Sequence, residues 1–343
     1  MIEPDLTVEN LDVRMKVIGV GGGGGSVLCR LAEGRAPDIA LIAIDTTAPR
    51  LMAEKEPPGI RNIQIGDSLT HGTGTGGKVE VGTRAAEAAE SEIRQACQGA
   101  VLLFITSCFG GGAGTGAAPV IARLAKETGA LVIGIVTMPF RFEGRRKAKT
   151  AEAALERMRA AVDALVVIRN DNLLRLGDKK LGLAEAFRLA DEVLRQGIQL
   201  VSDLILLPGV VNVDFADLTT ILRESERSDA VLGIGESDNG SAVDAVRRAV
   251  ESPLLDRTLA GAHSAILNIV GDESLTLTAV EEAAEYVKQA AGTDLNLIFG
   301  SGCDPAMAGH IKAMLVVTGF GEEEELPPGK PEAPANPPSP ENA

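Results

Sequence analysis

The sequence predicts an α/β protein: a doubly wound parallel sheet, a long central helix, and a second, smaller α/β domain. Three observations predict it. Nearly all-apolar runs such as VLLFIT (101–106), LVIGIVTMP (131–139) and ALVVIRN (164–170) alternate with helical stretches, as parallel strands buried on both faces do. Glycine runs at 21–25 and 110–116 follow strands and precede helices, where backbone must turn sharply or approach something closely. In 183–206, Phe187, Ala190, Leu194, Ile198, Val201 and Ile205 recur every three or four residues, the period of one helix face.

Taken in order, residues 1–13 read as a flexible polar arm. MKVIGV (15–20) is a β-branched strand, GGGGG (21–25) a turn, and SVLCRLAEG (26–34) a helix that stops on glycine. ALIAID (40–45) is a strand ending in an acid. The polar stretch IGDSLTHGTGTGGKVEVG (65–82) leads to a helix at 83–97. The 101–106 strand, a helix after the glycine loop, the 131–139 strand, a helix at 149–163 and the 164–170 strand complete a first domain, 14–182. The central helix takes 183–206, and a second domain, 207–320, changes rhythm after PGVVNVDFAD (208–217). Residues 321–343 hold seven prolines, six Glu and one Lys. They carry too little apolar surface to fold and read as a disordered tail.

Composition narrows the function classes. A net charge of −15 removes the electrostatic drive for nucleic-acid binding, and 3% aromatics argues against base-stacking or carbohydrate platforms. Four scattered cysteines without CxxC and three His suggest neither a metal cage nor a disulfide framework. The acidic start lacks a signal core and no 18-residue apolar run follows, so a cytoplasmic protein without membrane insertion is expected.

The glycine loops carry the chemistry. Gly19 to Gly24 satisfies GxGxxG, with Asp45 ending the next strand, the pattern of a dinucleotide site with an acid for the ribose. A tight turn with close strand–helix packing explains the same glycines. Five of the seven residues from Gly110 to Gly116 are also glycine, and GTGTGG (72–77) adds a third loop. One pyrophosphate needs one helix N-terminus, so three backbone cradles suit a triphosphate. No GxxxxGK[ST] is present, which excludes an ordinary P-loop. FEGRRKAK (142–149) places Arg145, Arg146, Lys147 and Lys149 at a helix start, where the dipole disfavours cations unless an anion lies near. A solvated basic patch is the plainer reading. Asp214, three residues before Asp217, reads locally as an N-cap.

VIGVGGGGG, GGGAGTGAAPV, PFRFEGR, RNDNLL, EAFRLAD, LRQGIQ and NVDFAD, in this order over residues 14–320, resemble the tubulin/FtsZ superfamily, in particular the FtsZ branch of filament-forming GTPases of bacterial cell division. The resemblance implies a GTPase domain and a C-terminal activation domain, binding of GTP/GDP with Mg²⁺, and head-to-tail self-assembly. It implies that Gly22, Gly23, Gly24, Gly25 and Ser26 lie along the diphosphate and sugar. Gly74, Thr75 and Gly76 would sense the γ-phosphate, and Gly111, Gly112, Ala113, Gly114, Thr115 and Gly116 would wrap the phosphates. Glu143 and Lys147 would approach the ribose and phosphates, while Asn170 and Asp191 read guanine with Phe187 stacked on it. A carboxylate accepting from guanine N1–H and the exocyclic amine explains GTP over ATP. Asp214, Asp217 and Asn212 would reach across a subunit contact and orient water at the γ-phosphate. Other cell-division proteins are implied partners; nucleic acid is not.

The chain departs from the family pattern at several positions. Ala113 stands for the usual Thr, Ser26 for Asn, Asp45 for Asn, Lys147 for Arg, Lys78-Val79 for Asn-Pro, and His71 for a basic residue. LTTILRESERSDAVLGIG is about two residues longer than the usual stretch after NVDFAD. The tail ends PPSPENA, without the basic-apolar peptide that docks on membrane tethers. These departures keep a second reading open, an FtsZ-like scaffold with weak or no GTPase activity. A third is an NAD-dependent oxidoreductase, from GxGxxG and Asp45.

Overall fold

The computed structural model describes residues 15–33, 39–48, 59–173, 182–206, 210–211, 213–224, 229–252, 255, 258–292 and 295–320. The expected arm at 1–13, the tail at 321–343 and Asn212 lie outside the described residues.

Strands β1 (Met15–Val20), β2 (Ile39–Asp45), β3 (Ile60–Gln64), β4 (Leu102–Cys108), β5 (Leu131–Met138) and β6 (Ala164–Arg169) run parallel in the order β3-β2-β1-β4-β5-β6. The chain winds outward both ways from β1 and β4, so the crevice beyond their carboxyl ends is the natural ligand position. Strands β7 (Asp229–Ser237), β8 (Ser264–Gly271), β9 (Asn296–Cys303) and β10 (Ile311–Thr318) extend the same sheet as β6-β7-β10-β8-β9. Strand β10 is antiparallel to both of its neighbours. The join between the two halves is narrow: among the described residues, only Leu165↔Asp229 and Val166↔Ala230 pair across β6 and β7.

Helices α1 (Gly21–Glu33), α2 (Asp67–Thr70), α3 (Val79–Ala88), α4 (Glu90–Cys97), α5 (Ala113–Lys126), α6 (Arg145–Arg159) and α7 (Asn170–Leu173) belong to the first half. Then come α8 (Leu183–Leu206), α9 (Phe215–Glu224), α10 (Ala242–Val250) and α11 (Leu277–Ala291). One sheet face packs α1, α8 and α9 through Leu28, Phe104, Ile133, Leu194 and Ile221. The other packs α3 to α6 through Ile93, Ile105, Ile121, Val132 and Leu155.

Local boundaries differ from the sequence reading in physically explicable ways. Gly21 to Gly25 form the first turn of α1 rather than a loop, because contact with β1 and β4 offsets glycine's poor helix propensity. The 83–97 helix begins at Val79 and breaks at Ala89. Helix α6 starts at Arg145, not 149, so the basic cluster lies inside its first turn. Strand β3, IRNIQ, was not expected; it pairs with β2 at the sheet edge and only Ile63 is fully buried.

Two charged links cross the narrow join. Arg159 of α6 donates to Asp229 at the start of β7 (2.8 Å). Asp163, just before β6, accepts from the Val132 N–H (2.9 Å), from Lys126 (3.2 Å) and faces Arg223 of α9 (3.6 Å), with its side chain only 5% exposed. Removing that carboxylate strands a buried backbone N–H and two cations. Asp163→Ala is therefore expected to lower unfolding free energy by about 2 kcal/mol, with Asp163→Asn losing about half of that. Urea midpoints read the difference, and an unchanged midpoint for Asp163→Ala refutes the link.

Candidate functional site

Helices α1 and α5 point their N-termini at one spot beyond β1 and β4. Gly21 takes a left-handed φ of 72°, which glycine alone adopts without strain. A Cβ there would sit 2.8 Å from Gly114 N, so the two helix starts touch. A Cβ on Gly24 would lie 2.7 Å from Thr106 O, and one on Gly23 2.5 Å from Cys108 Sγ. Ser107 Oγ donates to Val20 O (3.1 Å) and ties the strand ends together. Gly22 and Gly111 differ: a Cβ on either would meet nothing within 4 Å. The buried glycines let the backbones close up; the open ones leave amides uncovered.

The third loop closes the side of this cradle. Gly72, Gly74, Gly76 and Gly77 all have positive φ. A Cβ on Gly112 would collide with Thr75 Oγ1 and lie 2.8 Å from Lys78 N. Thr83 Oγ1 donates to Gly116 O (3.1 Å), and Gly110 N donates to Thr115 Oγ1 (2.9 Å). The segments Gly22–Ser26, Gly74–Gly76 and Gly111–Gly116 thus meet at one place, through the close approaches of Gly21 to Gly114 and of Gly112 to Thr75. Asp45 Oδ1 accepts from Thr46 N (2.6 Å), and burial raises its carboxyl above the ordinary range against hydrogen bonds from Thr46 and Thr47. That acid is turned onto its own chain, which removes the feature that favoured the dinucleotide reading.

A second wall carries the polar and aromatic side chains. Glu143 accepts from Phe140 N (2.9 Å) and from Lys147 Nζ (2.9 Å). Lys147 adjoins the glycine loop, its Cβ 3.4 Å from a Cβ placed on Gly110. Phe140 stacks on Phe142 (5.0 Å) and meets Phe187 edge-on (5.3 Å), leaving Phe187 39% exposed. One turn on, Asp191 faces Arg30 (3.4 Å); burial raises its carboxyl, and Arg30 opposes the rise. Asn170 is buried with its Oδ1 unpartnered among the described residues, as is Thr106 Oγ1. Buried orphan acceptors of this kind call for a partner. The Cys108 thiol is pushed up to about 11 by burial, with the negative charges of Asp191 and Glu143 adding to the rise. Glu143, Cys108 and Asp191 therefore share one electrostatic neighbourhood.

Asp214 and Asp217 lie elsewhere. Asp217 N donates to Asp214 Oδ1 (2.6 Å), so Asp214 caps α9, as its local spacing implied. Val211 pairs with Ser301 on β9, six strand positions from β4, or about 29 Å along the sheet. From Asp191 to the end of α8 is about 22 Å. The acidic pair and the cradle sit at separate places on one chain.

Arg30, Cys108, Phe140, Phe142 and Thr106 were not picked out from the sequence. Only the phenylalanines left a signal: three of the chain's eight Phe gather here.

The model of the Tubulin/FtsZ family GTPase domain matches residues 14–178, and that of the FtsZ family C-terminal domain matches 228–321. An empty FtsZ dimer from M. jannaschii is 36% identical, with TM-score 0.81 over 90% of this chain and 88% of that one. CetZ2 from Haloferax volcanii, a GTPγS-bound protofilament, shares the fold at 23% identity, with TM-score 0.78 over 91% and 95%.

The two kinds of glycine predict opposite outcomes. Gly24→Ala should destabilise the fold by about 1–3 kcal/mol through backbone overpacking. Gly22→Ala should leave stability equal or slightly higher, yet weaken guanine-nucleotide binding at least tenfold by covering an amide. Thermal melts and fluorescent-nucleotide titration separate the two; equal stability of both variants refutes the division.

Proposed function

The chain belongs to the tubulin/FtsZ family, which binds GTP and polymerises, and from that premise we propose that it hydrolyses GTP to GDP and phosphate at head-to-tail subunit contacts in filaments. The observation that carries this reading is the separation of the acidic pair from the phosphate cradle. Asp214 and Asp217 do not reach their own chain's nucleotide, but a neighbour stacked in the same orientation presents them to it.

On this reading the amides of Gly22–Gly25 and Gly111–Gly116 hold the phosphates at two helix N-termini, with Gly74–Gly76 beside the γ-phosphate. Lys147, held by Glu143, adds a positive charge next to the loop. Phe187 covers one face of the guanine, and Asn170 Oδ1 supplies an acceptor that otherwise has no partner. The Asp191 carboxylate accepts from guanine N1–H and its amine; adenine presents a lone pair at that ring nitrogen and is repelled. Asp214, Asp217 and Asn212 of the next subunit orient water in line with the γ-phosphate, so catalysis is largely positioning and electrostatics.

Among the described residues no cluster of three or more His, Cys, Asp or Glu could hold a metal ion. A Mg²⁺ would therefore take its oxygens chiefly from the phosphates, and its chemistry would be to offset their charge. No helix among the described residues is long and apolar enough to cross a membrane. The proposed setting is bacterial cell division or a related cytoskeletal role in the cytoplasm, with other division proteins as further partners.

Asp214→Asn keeps an acceptor for the α9 cap and removes the charge. It should lower GTP turnover at least a hundredfold while changing nucleotide affinity less than twofold. Wild-type turnover per chain should rise steeply with protein concentration, because a non-closing heterologous contact builds the site. Flat turnover from dilute to concentrated solution refutes the split site.

The raised Asp191 carboxyl gives a pH test. Its ionised form binds guanine, so GDP affinity should hold at neutral pH and fall as pH drops through a pKa above the ordinary carboxylate value of about 3.9. Titration calorimetry reads this, and Asp191→Asn should abolish the acid limb together with at least tenfold of affinity.

A further inference from the structure

We propose that the acidic segment following Phe320 docks back into a basic groove between α3 and α6 of the same chain. Arg84 of α3 and Arg146, Lys149 and Arg157 of α6 line this groove, with Glu80 as the carboxylate among its lining residues. All four cations are exposed, and none has an ion pair with another described residue. In a chain of net charge −15, four unpaired cations in one groove create a local potential of opposite sign to the whole.

The strongest complementary charge in the chain begins two residues past Phe320: Glu322, Glu323, Glu324 and Glu325, followed by Glu332. Topology delivers it to the right end of the groove. Arg159, two residues beyond Arg157, pairs with Asp229 (2.8 Å). The next residue, Ala230, lies opposite Thr318 at the end of β10. Leu165, Asp229 and Val231 point to one sheet face by register and alternation. Leu165 packs in the core under α6, and Phe320 packs in the cluster of Val231, so the chain leaves on the face that carries α6.

From Phe320 to the C-terminal end of α6 is two strand spacings across and one layer out, about 14 Å. Residues 321–325 span up to about 17 Å. Arg157 to Arg146 is about 16 Å along the helix, and Glu332 lies within reach of its far end. Pro327, Pro328 and Pro331 bias the connecting residues toward extended backbone, which reduces the entropy lost on docking. The groove's upper end is built on Val79 and Thr83, beside the phosphate loops, so a docked segment lies next to the cradle without entering it.

Zero-length carbodiimide cross-linking of the full chain, dilute and without added nucleotide, tests this independently of GTP hydrolysis and polymerisation. Lys147 and Glu143, 2.9 Å apart, serve as the internal positive control. Mass spectrometry should find Lys149 joined to Glu325 or Glu332, within one chain when labelled and unlabelled protein are mixed. The yield should fall about tenfold at high salt and about tenfold in Arg84→Glu/Arg146→Glu/Arg157→Glu. The proposal is overturned if the control link forms without the Lys149 link, if the triple variant leaves the yield unchanged, or if the link joins different chains.

Discussion

Everything at the candidate site depends on how closely three backbone segments approach one another. The first turn of α1, the first turn of α5 and the third loop meet where a single added Cβ would collide with a neighbouring amide or carbonyl, at Gly21, Gly24, Gly112 and Gly116. Glycine in a helix costs about 0.8–1 kcal/mol relative to alanine, so the five that open α1 cost about 4–5 kcal/mol together. Val27, Leu28 and Leu31 in the following turns are 0–3% exposed, and burying each contributes about 1.5–3 kcal/mol. The packed end of α1 thus holds an intrinsically poor helix start in place. That start can then present amides with no side chain in front of them.

The same economy governs the join between the two halves of the sheet. With two register pairs between β6 and β7 among the described residues, hydrogen bonding along the described join is sparse. Side chains supply the rest: Arg159 to Asp229, Asp163 to Arg223, and the buried stripe of α8, including Leu194, Ile198 and Val201. Helix α8 begins near the aromatic cluster and ends near the segment that carries Asp214. One rigid rod therefore links the wall beside the glycine cradle to the half of the chain that carries the acidic pair, and polar anchors at the sheet join hold the two halves together.

The fold class was legible because buried parallel strands are written as continuous apolar runs, and β1, β4, β5 and β6 all fall within a residue or two of those runs. Strand β3 was not, since IRNIQ is polar, lies at an edge and shows no apolar run. The glycine loops could be located but not their conformation: glycine propensity argued for a turn at 21–25, and tertiary contact with Gly19 and Thr106 made it helical. The basic cluster was placed at a helix start, but the helical pattern itself was read only from Lys149, four residues later than α6 begins. At the site, residues whose role is to touch a neighbour, Arg30 against Asp191 or Cys108 beneath Gly23, carry no local signature at all. Phe140 and Phe142 did carry one, because a chain with 3% aromatics seldom places two within three residues.

On the proposed reading, the acidic pair is one local structure that serves a site no single chain contains. An exposed carboxylate pair repels itself, and bringing it against a triphosphate would be costlier still. At the start of α9, Asp214 accepts a hydrogen bond from the Asp217 N–H, and both lie at the positive end of the helix, where negative side chains sit favourably. The pair is therefore oriented by its own helix, with no ion pair to another described residue that would have to be surrendered on assembly. On the proposed reading, the two half-sites are each complete as structures and incomplete as chemistry. The phosphate cradle lacks an acid to hold water, and the acidic pair lacks a phosphate to act on. Contact between two copies is then the only event that joins them, so hydrolysis reports that a neighbour has arrived.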